Sequence, residues 1–75
     1  MEATDEPDPI VEAIRRLRRA GWLVGDAASR DGAGGLLWIV TGSNGENLIR
    51  AEGPTRSGAW ARALEQARGL GMLGR

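Results

Sequence analysis

The chain has 75 residues, with ten arginines against ten acidic residues, and its formal net charge is zero. A chain of this length forms one domain whose core is only marginally stabilising, so a partner or a second copy is a reasonable expectation. Cysteine, histidine, lysine and tyrosine are absent, which excludes disulfides and thiolate metal sites and removes the commonest general base. We therefore expect no enzymatic activity, no cofactor and no small-molecule substrate.

Charge is unevenly distributed along the chain. Residues 1–8 contain four acids and no base, whereas residues 9–75 contain ten arginines against six acids, a charge of +4. We interpret residues 1–8 as a disordered acidic tail and residues 9–75 as a single domain. The apolar runs are too short for a membrane span and the start of the chain is acidic, which together predict a cytoplasmic protein.

The first predicted helix begins at Asp8-Pro9, with Asp8 as the N-cap and proline in the first helical position, and Gly21 stops it. Apolar residues recur between them at the spacing of an amphipathic helix: Ile10, Ala13, Ile14, Leu17 and Ala20. The rest of the helix carries Arg15, Arg16, Arg18 and Arg19. These arginines are either a solvated face that complements the helix dipole or a surface that binds anions.

Three strands are predicted next, at residues 22–30, 36–42 and 46–52, with a glycine-rich loop at residues 31–35. In the first strand, Trp22 and Val24 alternate with Leu23 and Gly25. Asn44-Gly45 between the last two runs is the strongest short-range hairpin signal, because a type I′ turn needs positive φ at both central residues. This turn would place Val40 opposite Ile49.

Thr55 is a good N-cap for a second helix over residues 56–68, which Gly69 ends. The apolar stripe of this helix contains Trp60, Ala63, Leu64 and Ala67, with Ala59 beside it. The apolar residues that follow, Leu70, Met72 and Leu73, are interpreted as a flap that closes the core.

This order of elements predicts an α+β fold: a two-layer α-β-β-β-α sandwich with a three-stranded antiparallel sheet and both helices on one face. We expect Trp38, Val40, Ile49 and Ala51 to meet the helices, with Trp22 and Val24 beside them. The uncovered face would then carry Leu37, Ile39, Leu48 and Arg50. If the helices chose the other face, Trp38, Val40 and Ile49 would be exposed. In both cases a contiguous apolar patch is typical of an interface.

Over residues 9–70 the order α-β-β-β-α resembles the double-stranded RNA-binding domain. That family has basic residues at the start of its last helix, and here the corresponding stretch, Thr55-Arg56-Ser57-Gly58-Ala59-Trp60, matches at Arg56. The resemblance implies RNA or DNA binding as the alternative function. The residues available for phosphate contacts are Arg15, Arg16, Arg18, Arg19, Arg30 and Arg56.

Residues 22–68 are also similar to the partial RNase H-like domain of HicB-type antitoxins, in which a three-stranded sheet precedes a Thr-started helix rich in alanine and leucine. The shared pattern lies in residues 50–67. The resemblance implies a domain that binds protein without catalysis. We therefore favour a small non-catalytic binding or regulatory module that acts through the open sheet face (Leu37, Ile39, Leu48 and Arg50), as a homodimer or with another protein.

Overall fold

A computed structural model describes residues 8–71 of the chain. Over this range the chain folds as the predicted α+β sandwich, in the order α1 (Pro9–Arg19), β1 (Leu23–Arg30), β2 (Leu36–Ser43), β3 (Leu48–Gly53) and α2 (Arg56–Gly69). The strands form one antiparallel sheet in the order β1-β2-β3. The interpretations made for residues 1–7 and for Met72 and Leu73 lie outside the described residues.

Both helix starts are confirmed by their capping hydrogen bonds. The Asp8 carboxylate accepts the backbone N–H of Ile10 at 2.8 Å, and the Thr55 hydroxyl accepts that of Gly58 at 3.0 Å. The N-cap side chain thus satisfies an N–H group that has no partner inside the helix. At the other end of α1, Gly21 has a φ of 97°, the left-handed conformation that lets the chain leave the helix.

The core lies between the two helices and one face of the sheet. The helices contribute Ala13, Leu17, Ala59, Trp60, Ala63 and Ala67, and the chain of the sheet layer contributes Trp22, Val40, Ile49 and Ala51. Trp38 and Val24 are half-buried against this cluster. The helices therefore cover the face that we expected, and the opposite choice was wrong. The described residues form a flat body of 39 × 37 × 17 Å, because one helical layer covers only one side of the sheet.

The register predicted for the second hairpin was wrong by two residues. Val40 pairs with Ala51 and not with Ile49, so the strands are joined by four residues, 44–47, and β3 begins at Leu48. The reason is the side chain of Asn44, whose Oδ1 accepts the backbone N–H groups of Glu46 at 3.0 Å and Asn47 at 2.7 Å. Gly45 alone takes a positive φ in this turn. A shift of two residues leaves every side chain on its predicted face.

Candidate protein-interaction face and arginine surface

The open sheet face is the side of the sheet that no helix covers, and antiparallel pairing arranges its side chains in rows. Ser43 pairs with both Leu23 and Leu48, so these three residues form the first row. Leu23 is 80% exposed and Leu48 is 79% exposed. Two leucines whose side chains are largely exposed to solvent therefore lie about 10 Å apart, which is twice the spacing between neighbouring strands.

The next rows carry the remaining residues of the predicted interface. Thr41 pairs with Gly25 and Arg50, Ile39 pairs with Ala27 and Glu52, and Leu37 pairs with Ser29. Leu37 and Ile39 are half-buried, and Arg50 is exposed. The fold thus brings together Leu37, Ile39, Leu48 and Arg50 on one face, as the sequence predicted.

Leu23 belongs to this face but was missing from the predicted interface. The signal for it was present, because Leu23 alternates with the core-facing residues Trp22 and Val24. Leu23 and Leu48 line a shallow depression of about 370 Å³ that runs past Thr41 and Ser43. Gly25 and Gly42 also line it, and the lack of a side chain at Gly25, which lies on the open sheet face, lowers its floor.

One pair of opposite charges lies on the open sheet face. The Arg50 guanidinium forms an ion pair with the Glu52 carboxylate, and both side chains are exposed. An exposed pair of this kind contributes only about 0–1 kcal/mol to stability. Its importance for recognition is that the face carries one positive and one negative charge and is therefore neutral.

The arginines of α1 form a second surface, on the side of the molecule opposite the open sheet face. Arg15 pairs with Glu12 at 3.1 Å. Within residues 8–71, the side chains of Arg16, Arg18 and Arg19 make no ion pair or hydrogen bond. Arg15 and Arg18 also line a groove of about 320 Å³ together with two apolar residues, Val11 and Ile14.

The other two arginines of the predicted nucleic-acid surface make contacts within the fold. Arg30 Nη1 donates to the carbonyl oxygen of Gly34 at 3.2 Å, in the loop that joins β1 to β2. Arg56 Nε donates to Asp26 Oδ2 at 2.6 Å, and its guanidinium lies over the ring of Trp38, 5.6 Å from the centroid. The six arginines thus lie on three elements, and only the four of α1 are neighbours on one helix.

The contact between Arg56 and Asp26 is part of a clasp that fastens the start of α2 to β1. Trp60 Nε1 donates to the same oxygen, Asp26 Oδ2, at 2.9 Å. The Asp26 side chain is 17% exposed, so its charge is held largely away from water. Hydrogen bonds from Arg56 and then Trp60 lower the pKa of this carboxyl below its usual value of 3.8, because both favour the ionised form.

The contribution of this clasp to the free energy of unfolding should depend on pH. A carboxyl whose pKa is lower in the folded than in the unfolded chain stabilises the fold when the pH is above its unfolded pKa. This stabilisation is lost as the pH falls through the folded pKa. We expect Asp26→Asn to lower the free energy of unfolding at neutral pH. The difference from the wild type should shrink below about pH 4, where the Asp26 carboxyl of the unfolded chain begins to be protonated.

Urea denaturation followed by circular dichroism over a pH series measures this difference. The control is Glu65→Gln, which removes an exposed carboxylate whose partner, Arg68, is also exposed. Its effect should be small at every pH. An Asp26→Asn difference that stayed constant down to about pH 3 would contradict the assigned role of the Asp26 charge.

No helix within residues 8–71 combines the length and the apolar character that crossing a membrane requires. In the same part of the chain, no group of three or more acidic side chains is placed to hold a metal ion. Comparisons of the sequence with protein-family models and with curated proteins, and of the structure with solved structures, find no significant match.

Proposed function

We propose that this protein is a small non-catalytic binding or regulatory module that acts through protein–protein contacts on its open sheet face, with a second copy of itself as the partner. A cytoplasmic location is part of the same proposal. The observation that carries it is the row Leu23–Ser43–Leu48, with its two leucines 80% and 79% exposed. Fully burying a leucine side chain gains about 1.5–3 kcal/mol. Leu37 and Ile39 lie on the same face, beyond the row Gly25–Thr41–Arg50, and exposed apolar surface of this kind is typical of interfaces.

The charge on the face supports a second copy as the partner. In a two-fold contact the same patch meets itself, so Arg50 of one copy can meet Glu52 of the other, and the reverse. A neutral face therefore meets its copy without an excess of like charge. The depression beside Gly25 and Gly42 offers space for a leucine of the opposing sheet, and two sheets packed face to face lie about 10 Å apart.

Sedimentation over a wide concentration range tests the proposal. The wild type should show a mass that rises with concentration and changes little with salt, because the contact is mainly apolar. Leu48→Glu should lower the mass at each concentration, since it places a charge in the contact without disturbing the core. The matched control is Val11→Glu, the same kind of change at an exposed residue of α1. Equal masses for the two variants would refute the sheet-face contact.

RNA or DNA binding is the second candidate. It is favoured by Arg16, Arg18 and Arg19, whose guanidinium groups have no ion-pair partner in the part of the chain that the structure describes. The resemblance in element order to the double-stranded RNA-binding domain supports the same candidate. The sedimentation experiment is therefore repeated with a short duplex RNA at low and moderate salt. A chain that moves with the duplex and releases it as salt rises binds the phosphates of the duplex, because phosphate binding depends steeply on salt. Arg16→Gln combined with Arg18→Gln should then weaken the binding, and Leu48→Glu should leave it unchanged.

A further inference from the structure

The two edges of the sheet differ in how their backbone groups are satisfied, and the edge formed by β3 is closed by α2. Gln66 Nε2 donates to the carbonyl oxygen of Arg50 at 2.7 Å, and Gln66 Oε1 accepts the N–H of Arg50 at 3.0 Å. Arg62 Nη1 donates to the carbonyl oxygen of Glu52 at 3.1 Å. Side chains of α2 thus occupy the groups that another strand would use.

The edge formed by β1 is open. Asp31 N–H donates to the carbonyl oxygen of Gly35 across the first hairpin, which shows that residues at odd positions of β1 bond to β2. Backbone groups alternate along a strand, so those at even positions point outward. These even positions, the open β1 edge, are Val24, Asp26, Ala28 and Arg30.

Within residues 8–71, the outward backbone groups of the open β1 edge make no hydrogen bond to another helix or strand. The N–H of Trp22 donates to the carbonyl oxygen of Leu17, so the open stretch begins after it. From Ala27 to Arg30 every residue is exposed, and the first three have small side chains that do not hold another strand away. A long exposed edge of this kind is a template for pairing with another chain.

We infer that the open β1 edge pairs with β1 of a second copy, antiparallel, with Ala28 opposite Ala28. In this register the outward-pointing residues of the two copies lie directly opposite one another. They form three hydrogen-bonded pairs, each with two backbone hydrogen bonds, or about six in all. The partner is a second copy because β1 is complementary to itself in charge. Asp26 lies opposite Arg30 of the second copy, and this pair occurs twice.

Neighbouring registers lack this complementarity. Centring the pairing on Asp26 sets two carboxylates opposite each other, and like charges in directly opposed positions are destabilising. Centring it on Ala27 sets Asp26 opposite Ala28 and leaves both charges without a cross-strand partner. Both hydrogen bonds that Asp26 accepts from α2 end on Oδ2, so Oδ1 can accept a hydrogen bond from Arg30 of the second copy.

The edge contact goes beyond the proposed function, because it uses the backbone of β1 and not the side chains of the open sheet face. Directly opposed residues of antiparallel strands point to the same side, so both helical layers lie on one side of a six-stranded sheet. The two open sheet faces then lie next to each other on the other side. A chain that uses both contacts forms a tetramer.

Single cysteines test the edge contact directly, because the chain has no cysteine of its own. In the proposed register the two Ala28 Cα atoms lie about 5.5 Å apart, within the range that a disulfide spans. We expect Ala28→Cys to form a cross-linked dimer under mild oxidation. Ala28→Cys should cross-link at least about ten times faster than Ala61→Cys, because pairing raises the local thiol concentration. Ala61 is an exposed residue of α2, so Ala61→Cys measures cross-linking by random encounters.

Ala27→Cys serves as the register control. Two Ala27 residues lie diagonally across the proposed pair, about 8 Å apart, which is too far for a disulfide. Cross-linking of Ala27→Cys as fast as that of Ala28→Cys would overturn the register. Cross-linking of Ala28→Cys no faster than that of Ala61→Cys would overturn the edge contact itself.

A proline at position 28 separates the edge contact from the sheet-face contact. The N–H of Ala28 points outward, so Ala28→Pro removes a donor of the edge and leaves the β1–β2 ladder intact. We expect the Leu48→Glu variant to be a dimer. Adding Ala28→Pro should convert it to a monomer, whereas adding Ala28→Ser, which keeps the N–H, should leave the dimer intact. A Leu48→Glu variant that is already monomeric would overturn the edge contact. Equal masses of Leu48→Glu and Val11→Glu would instead overturn the proposed function.

Discussion

Trp60→Ala is expected to lower the free energy of unfolding by about 3–5 kcal/mol, the usual cost of removing a large buried aromatic side chain. Trp60 is 2% exposed and belongs to the core cluster. A domain of this size has a total stability of about 4–11 kcal/mol. The substitution therefore removes much of the stability of the chain, and part of the protein should be unfolded at room temperature.

Trp60→Phe separates the two roles of this side chain. Phenylalanine keeps most of the apolar volume but cannot donate the hydrogen bond to Asp26 Oδ2. We expect a loss of about 1–3 kcal/mol, the cost of leaving a largely buried acceptor with one donor fewer. Urea denaturation followed by circular dichroism measures both variants without depending on tryptophan fluorescence.

The control for Trp60 is Ala61→Gln, which changes the neighbouring exposed residue of α2 and should alter stability by less than about 0.5 kcal/mol. If Trp60→Ala proved no more destabilising than this control, the packing of α2 on the sheet would be wrong. If Trp60→Phe were as stable as the wild type and Trp60→Ala were unstable, the packing of Trp60 would be supported. The hydrogen bond to Asp26 would then contribute little to stability.

Gly42→Ala is expected to destabilise the protein by about 1–3 kcal/mol, because the core has no room for one more methyl group. A Cβ atom at position 42 would lie 2.8 Å from Val24 Cγ1 and 3.1 Å from Ile49 Cγ1. Both neighbours are β-branched side chains on flanking strands, so relief requires movement of the packed side chains or of the sheet.

Gly25→Ala is the matched control, and its expected effect has the opposite sign. A Cβ atom at position 25 meets nothing within 4 Å, since Gly25 lies on the open sheet face. Alanine also restricts the unfolded chain more than glycine does, so a gain of about 0.4–1 kcal/mol is expected. Chemical denaturation of the two variants side by side checks the prediction. Equal destabilisation at both positions would contradict the assignment of the two sheet faces.

These glycines also show how far the interaction face follows from sequence. Alternation along β2 and β3 predicts which residues share a face, and this placed Leu37, Ile39, Leu48 and Arg50 together. The same rule applied to β1 adds Leu23, whose partner across Ser43 is Leu48. Alternation alone could not show that Leu23 and Leu48 occupy one row, because the row depends on the register of both hairpins.

Local chemistry by itself determined the elements of this fold. Asp8 and Thr55 start the helices because their side chains accept hydrogen bonds from backbone N–H groups within three residues of them. The apolar spacing then determined which side of each helix is buried. These signals act over one or two turns of the chain, so they can be read without knowledge of the rest of the molecule.

Only the tertiary structure decided the features that depend on distant residues. The register of the second hairpin differs from these features, because a local side-chain turn at Asn44 sets it in competition with the expected backbone turn. Arg56 meets Asp26 across 30 positions of sequence, and Gln66 closes the β3 edge across 16 positions. The position of α2 therefore decides which edge of the sheet stays open. A polar side chain can bond the backbone N–H and C=O groups of an edge strand only when packing brings the two together.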